Sequence, residues 1–121
     1  MIKFRAWNKV DKFMTVPLDI QLGSDGYIYW IEAMGLNGEH DEGDLDVFKL
    51  EQFTGLKDVN GKEIYEGDVL ENRKYRSIVK FASGKFLADV VGTISRFDVI
   101  GETHGSKVIG NVHENQELLK G

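Results

Sequence analysis

Residues 53–70 read FTGLKDVNGKEIYEGDVL, and this stretch decides the fold because it places two turn signals beside apolar residues. The pair Asn60-Gly61 accepts positive φ at little cost, as a two-residue hairpin turn requires. Gly67 and Asp68 form a second turn, which leads directly into an apolar pair. Short apolar runs joined by tight turns predict a small β-domain.

The rest of the sequence repeats this pattern. Fourteen glycines and one proline punctuate the chain, and β-branched and aromatic residues fill the runs between them. Pro17 cannot donate to a strand ladder, so we expect it at an edge or a bend. Residues 45–53 fit a strand or one helical turn, and residues 114–120 fit one or two helical turns with Asn115 as N-cap. The predicted strands cover residues 2–7, 13–22, 27–34, 77–82, 86–91, 93–100 and 107–112.

The fold class that follows is mainly β, with small antiparallel sheets and one or two short helices. A chain of 121 residues and 13.7 kDa is expected to form a single domain. Its hydrophobic content of 41% is sufficient for a core without a stabilising metal ion. No cysteine is present, which excludes disulfides, thiolate nucleophiles and cysteine-ligated zinc or iron–sulfur centres.

Net charge and hydropathy limit the classes of partner that the protein is expected to bind. The formal net charge of −5 disfavours broad binding to nucleic acids, because phosphate neutralisation requires Lys and Arg. The N-terminal sequence MIKFRAWNK lacks the apolar core of a secretion signal. The longest bulky apolar run, residues 27–31, is far shorter than the ~20 residues of a membrane helix. We therefore expect a cytoplasmic protein with no membrane partner.

The run from residue 27 to residue 34 is apolar on both alternating faces. Tyr27 and Tyr29 lie on one face of the predicted strand, and Ile28 and Trp30 lie on the other. A strand of this kind is either central in the core or covered by another subunit. Tyr27, Tyr29 and Trp30 are therefore candidates for a subunit or partner contact, with ordinary core packing as the favoured alternative.

Three segments resemble the YopX family of bacteriophage and prophage proteins. They are the opening KFRAW of residues 3–7, the central stretch of residues 53–69, and the closing VIGNVHEN of residues 108–115. They occur in the family's order and together span nearly the whole chain. The resemblance implies a single YopX-like domain over residues 1–121, in which an N-terminal β segment (1–52) packs against an SH3-like barrel segment (53–121).

The resemblance implies no enzymatic activity, no cofactor and no catalytic residue. It implies a small accessory protein encoded by a phage or prophage, which acts in the bacterial host. Backbone geometry explains the motif residues better than ligand contact does, because each lies where a strand must turn or bulge. This structural turn motif consists of Gly55, Asn60, Gly61, Gly67, Asp68 and Gly110.

Carboxylates and histidines are the candidates for acid–base catalysis or metal binding, but their spacing along the chain does not fit a known catalytic or metal site. Glu66 and Asp68 flank a glycine, but hydrogen bonding of Asp68 to nearby backbone in the turn is the favoured interpretation. The acidic loop of residues 37–46 lacks the ligand spacing of a calcium loop and is read as solvated charge. The histidines show no zinc-ligand spacing, and we predict no metal site; they are His40, His104 and His113.

One basic loop could contact nucleic acid. Arg73, Lys74 and Arg76 surround Tyr75, and Lys80 follows on the next predicted hairpin. Cationic side chains can follow a phosphate backbone while an aromatic ring stacks on a base. A solvated loop is the favoured alternative, given the acidic balance of the chain.

The sequence thus predicts a non-enzymatic protein-interaction module whose partner is a second copy or an unknown phage or host protein. The alternative function is a small nucleic-acid-binding β-barrel that acts in phage DNA or RNA metabolism.

Overall fold

The computed structural model describes residues 2–120, and these residues form a mainly β structure of antiparallel sheets with two short 3-10 helices. The predicted fold class is confirmed in this respect. The chain divides into two compact units, residues 2–52 and residues 53–120. One long strand, β6, begins in the first unit and ends in the second. No helix formed by residues 2–120 has the length and apolar character needed to cross a bilayer.

The N-terminal unit contains two small antiparallel sheets. In one, β1 lies between β2 and the first half of β6; in the other, β4 lies between β3 and β5. Pro17 begins the edge strand β3, where no partner needs its missing N–H. The strands are β1 (Phe4–Asn8), β2 (Phe13–Thr15), β3 (Pro17–Leu22), β4 (Ile28–Met34), β5 (His40–Gly43) and β6 (Phe48–Lys57).

The hydrophobic core of the N-terminal unit is a small cluster, and the unit also buries the polar side chains of Asn8 and Glu51. Phe48 is the largest member of the cluster, and Ile31 contributes from the central strand β4. Alternation along β4 explains this burial, because Ile31 and Ala33 point to the same face. The buried residues of this core are Ala6, Ile31, Ala33 and Phe48.

The C-terminal unit is built on a five-stranded antiparallel sheet of order β11-β10-β9-β8-β12, while the second half of β6 pairs with β7. Ile64, Leu70, Val79, Ala88 and Val99 form its buried core. An SH3-like barrel in this part of the chain stays a prediction. The strands are β7 (Glu63–Tyr65), β8 (Asp68–Glu71), β9 (Arg76–Ala82), β10 (Lys85–Val90), β11 (Arg96–Asp98) and β12 (Lys107–Asn111).

Several element boundaries differ from the sequence prediction. The acidic loop contains a strand, β5, because its backbone pairs with β4 although its side chains are polar. The strand predicted over residues 93–100 shortens to β11 and is followed by a 3-10 helix over Val99–Glu102. Within residues 45–53, the first three residues form a turn in which the N–H of Phe48 donates to the carbonyl of Asp44, and the strand β6 begins at Phe48. Asn115 precedes the 3-10 helix Gln116–Leu119, but its side chain does not cap it.

Candidate functional site

Asp58 organises the Asn60-Gly61 turn that the sequence of residues 53–70 predicts. Its Oδ1 accepts the backbone N–H groups of Asn60 and Lys62 at 2.8 and 2.9 Å, and its Oδ2 accepts the N–H of Val108 at 2.8 Å. Burial alone would raise the pKa of this carboxyl, but the hydrogen bonds from Val108, Lys62 and Asn60 outweigh burial and lower the pKa. The carboxylate thus ties the turn to β12, and its acceptor capacity is used by the backbone.

The other motif residues have similar backbone roles. Asp68 is buried and accepts the N–H of Tyr65 at 2.7 Å, so it serves the turn, while Glu66 beside it is half-buried. Asn115 accepts the N–H of Asn111 at 3.1 Å, which is why it does not cap its own helix. The backbone requires glycine at three motif positions with φ near +80 to +90°, namely Gly55 (84°), Gly61 (81°) and Gly67 (88°).

The basic loop is only partly available for a ligand. Tyr75 donates its hydroxyl hydrogen to Glu102 at 2.5 Å, and its ring stacks on Phe97 with centroids 5.7 Å apart. Arg76 pairs with Glu71 on the neighbouring strand at 3.0 Å. Arg73 and Lys74 are exposed. The aromatic that would stack on a base is therefore engaged within the protein.

Arg73 nevertheless contributes to a shallow hollow in the C-terminal unit. Lys107 lines the same hollow, together with Val59 and Gly105. Glu71 lines it as well, so its charge is mixed rather than uniformly positive. Two cations in one concave surface can hold a phosphate group, but they provide far less than the continuous positive groove that binds single strands.

The predicted aromatic contact lies in the N-terminal unit and is largely exposed. Tyr27 and Tyr29 expose 77% and 54% of their surface, whereas Trp30 is half-buried. The edge strand β3 adds Leu18 and Leu22, which are exposed by 57% and 60%. Tyr29 donates its hydroxyl hydrogen to the side chain of Gln21 on β3 at 3.1 Å, so the exposed tyrosine lies beside that edge.

Strand pairing assembles a cluster of ligand side chains that sequence spacing did not reveal. Glu32 on β4 lies directly opposite Glu42 on β5. His40 reaches both carboxylates, with Nε2 3.1 Å from Glu32 Oε1 and Nδ1 3.6 Å from Glu42 Oε2. Glu32 was not predictable as a partner of His40, because it is eight residues away and belongs to a different strand. The sequence signal that could have identified Glu32 is its outward-facing position on a strand that is followed by an acidic segment.

Charge is divided unequally along the chain. Residues 1–52 contain five basic and ten acidic side chains, whereas residues 53–121 contain ten of each. The net charge of −5 therefore belongs to the N-terminal part. The exposed apolar edge and the Glu32–His40–Glu42 cluster both lie within this acidic unit.

Comparison with known proteins gives a consistent result over the full length. A family model described as YopX protein matches residues 3–120. No curated protein matches the sequence. Protein EF1440 from Enterococcus faecalis has a similar structure, with 27% identity, a TM-score of 0.70 and 99% of each chain covered. The yopX protein from Bacillus subtilis shares the fold at 23% identity and a TM-score of 0.64, covering 98% of this chain and 95% of that one.

Proposed function

This chain belongs to the YopX family, since the family model covers nearly all of it, and we propose that it is a non-enzymatic protein-interaction module. We further propose that it is encoded by a phage or prophage and acts in the cytoplasm of the bacterial host. The observation that carries the proposal is the backbone role of the motif side chains. A carboxylate or amide that already accepts backbone N–H groups is poorly placed to bind substrate or transfer protons.

The exposed edge of the N-terminal unit supports an interaction through that surface. Leu18 and Leu22 on the edge strand β3, and Tyr27 and Tyr29 in or just before β4, are exposed apolar side chains, and Tyr29 contacts Gln21 of β3. Apolar edge strands are liabilities unless they are covered. Tyrosines contribute large contact areas at low cost in side-chain entropy. A second copy of the chain, pairing through β3, is the occupant that we favour.

Light scattering tests self-association through this edge. We expect untagged wild-type protein at tens of micromolar to show a mass above the 13.7 kDa of one chain. Leu18→Lys should shift the mass towards the monomer, because it places a charge in an apolar contact. Ile94→Lys is the matched control, since Ile94 is fully exposed in the C-terminal unit. A wild-type mass of one chain at these concentrations would contradict the self-association proposal and leave a heterologous partner as the remaining form of the interaction proposal.

A nucleic-acid-binding barrel is the alternative, and the hollow that contains Arg73 and Lys107 is the observation that favours it. Gel retardation of single- and double-stranded DNA at low salt tests this function. We expect Arg73→Glu with Lys107→Glu to weaken any retardation and to reduce its salt dependence. Lys12→Glu with Lys49→Glu, both exposed in the N-terminal unit, is the matched charge control. Absence of retardation at low salt would eliminate this alternative.

A further inference from the structure

The pairing of β4 with β5 brings three ligand-type side chains to one face of the N-terminal unit. Glu32 is directly opposite Glu42, and Met34 is directly opposite His40. Because successive residues of a strand alternate between faces, His40 and Glu42 share the face that carries Glu32. One ligand atom from each of Glu32, His40 and Glu42 lies within 4.8 Å of the others.

This face places like charges directly opposite one another. On the other side of β4, Asp19 of β3 is paired with Glu32, so three carboxylates lie abreast across the three strands. Like charges at directly opposed positions destabilise a sheet. His40 is the ion-pair partner of Glu32 and Glu42 among the residues that the structure describes. A bound divalent cation would relieve this repulsion.

The donor set selects the class of cation. Calcium takes six to eight oxygen ligands, whereas this cluster offers one imidazole nitrogen and two carboxylates. Imidazole and carboxylate together suit zinc and its neighbours in the first transition series. Bonds of about 2.1 Å to a tetrahedral ion place neighbouring donor atoms about 3.4 Å apart. Nε2 of His40 lies 3.1 Å from Glu32 Oε1, close to that value, whereas the 3.6 Å contact of Glu42 Oε2 is made to the other ring nitrogen, Nδ1.

We propose that Glu32, His40 and Glu42 form a surface site for a divalent transition-metal ion of the zinc class. One imidazole nitrogen and one oxygen from each carboxylate occupy three positions, and the fourth is open to water or to a donor from a partner. Because Glu32 and Glu42 contact different ring nitrogens of His40, one glutamate must change rotamer to share an ion bound at a single nitrogen, and the partial exposure of both side chains leaves room for that change. The ion clips β4 to β5 and neutralises part of the acidic face. This proposal is independent of the proposed interaction function.

Calorimetric titration of untagged protein with zinc chloride at neutral pH tests the site. We expect one Zn²⁺ per chain with a micromolar Kd, a rise in melting temperature with zinc, and no response to calcium. His40→Asn should raise the Kd at least tenfold, and Glu32→Gln should also weaken binding because each removes one of three ligands. His104→Asn is the matched control, since His104 is exposed and lies outside the cluster.

Two results would overturn the proposal. One is the absence of zinc binding by the wild-type chain at millimolar zinc. The other is zinc binding that survives both His40→Asn and Glu32→Gln unchanged, which would place the ion elsewhere. Circular dichroism of each variant without metal establishes that the exposed substitutions leave the fold intact, so a loss of binding reports on the ligands. Self-association is measured separately by light scattering, so failure of either proposal is distinguishable from failure of the other.

Discussion

Asp58 shows how one side chain can hold a turn closed. Its carboxylate accepts three backbone N–H groups, of which one belongs to β12, fifty residues away. In Asp58→Asn, one of these N–H groups would face an amide NH₂ instead of an oxygen. We expect the free energy of unfolding to fall by roughly 1–3 kcal/mol, the usual cost of leaving a buried donor unsatisfied. Urea unfolding at neutral pH measures the difference.

The same carboxylate gives the stability of the protein a defined acid dependence. The pKa of Asp58 is lower in the folded chain than in a free aspartate, because the backbone donors outweigh burial. Its contribution is therefore complete above the unfolded pKa of about 3.9 and is lost as pH falls through the folded value. We expect the stability gap between wild type and Asp58→Asn to close below about pH 4. A gap that persists unchanged at pH 2 would contradict this role.

Gly110 is required by space rather than by backbone conformation. A Cβ atom at this position would lie within 3.0 Å of the Asn115 side chain, whose amide oxygen already accepts the N–H of Asn111. We expect Gly110→Ala to lower the free energy of unfolding by about 1–3 kcal/mol, as overpacking typically does. Gly101→Ala is the control, because a Cβ there meets no atom within 4 Å. Equal melting temperatures for the two variants would show that Asn115 moves aside without cost.

At the scale of elements, Tyr75 links the loop after β8 to the 3-10 helix over Val99–Glu102. Its hydroxyl donates to the buried Glu102, and its ring stacks on Phe97 of β11. Tyr75→Phe keeps the stacking but leaves the carboxylate of Glu102 without this donor. We expect a loss of roughly 1–3 kcal/mol at neutral pH, measured by urea unfolding. Tyr29→Phe, which removes an exposed hydroxyl, is expected to change stability by less than about 0.5 kcal/mol.

The change in the free energy of unfolding at alkaline pH should report on the same contact between Tyr75 and Glu102. Burial, and then the hydrogen bond to Glu102, raise the pKa of Tyr75. Its contribution is present below the unfolded pKa of about 10 and is lost as pH rises through the higher folded value. Wild type should therefore lose stability relative to Tyr75→Phe above about pH 10. Parallel unfolding curves across this range would show that the hydroxyl contact is not formed in solution.

Most strands were predictable because their signals are local. Asn60-Gly61 and the glycine before Asp68 require specific backbone angles, and the structure places turns at both sites. Strand β5 was not predictable, since its polar sequence HDEG forms a strand only through pairing with β4. Asn115 has the residue type of an N-cap, but the nearby N–H of Asn111 competes for its side chain. Pairing with β4 therefore decided the structure of β5, and a competing N–H four residues earlier decided the role of Asn115.

In the candidate sites, too, sequence pattern identified single residues, whereas the fold decided which of them are in contact. An apolar pattern on both faces of one strand identified Tyr27 and Tyr29 as candidates, but it favoured core packing, whereas both side chains are exposed. The basic loop was predictable as a cluster of charges, but not the engagement of Tyr75 by Glu102, which is 27 residues away. Glu32 joins His40 only through the register between β4 and β5. That register follows from the length and turn type of the loop over residues 35–39, which the sequence did not identify as a hairpin turn.

For the whole molecule, the placement of charge separates the two functions. The ten acidic and five basic side chains of residues 1–52 make the N-terminal unit negative, whereas residues 53–121 are balanced. Self-association through β3 would bring two acidic units together and would work against their repulsion. Binding of nucleic acid through Arg73 and Lys107 would instead depend on attraction. The two functions therefore predict opposite responses to salt.

Sedimentation at several salt concentrations measures the sign of that response. Salt shortens the Debye length from about 10 Å at 0.1 M to about 3 Å at 1 M, so repulsion between acidic units weakens. We expect self-association to strengthen over this range, and Asp19→Asn to strengthen it already at low salt, because Asp19 lies on the edge strand itself. Any retardation of DNA should weaken as salt rises, since counterion release drives it. Self-association that weakens with salt would mean that ion pairs, rather than the apolar edge of β3, join the two copies.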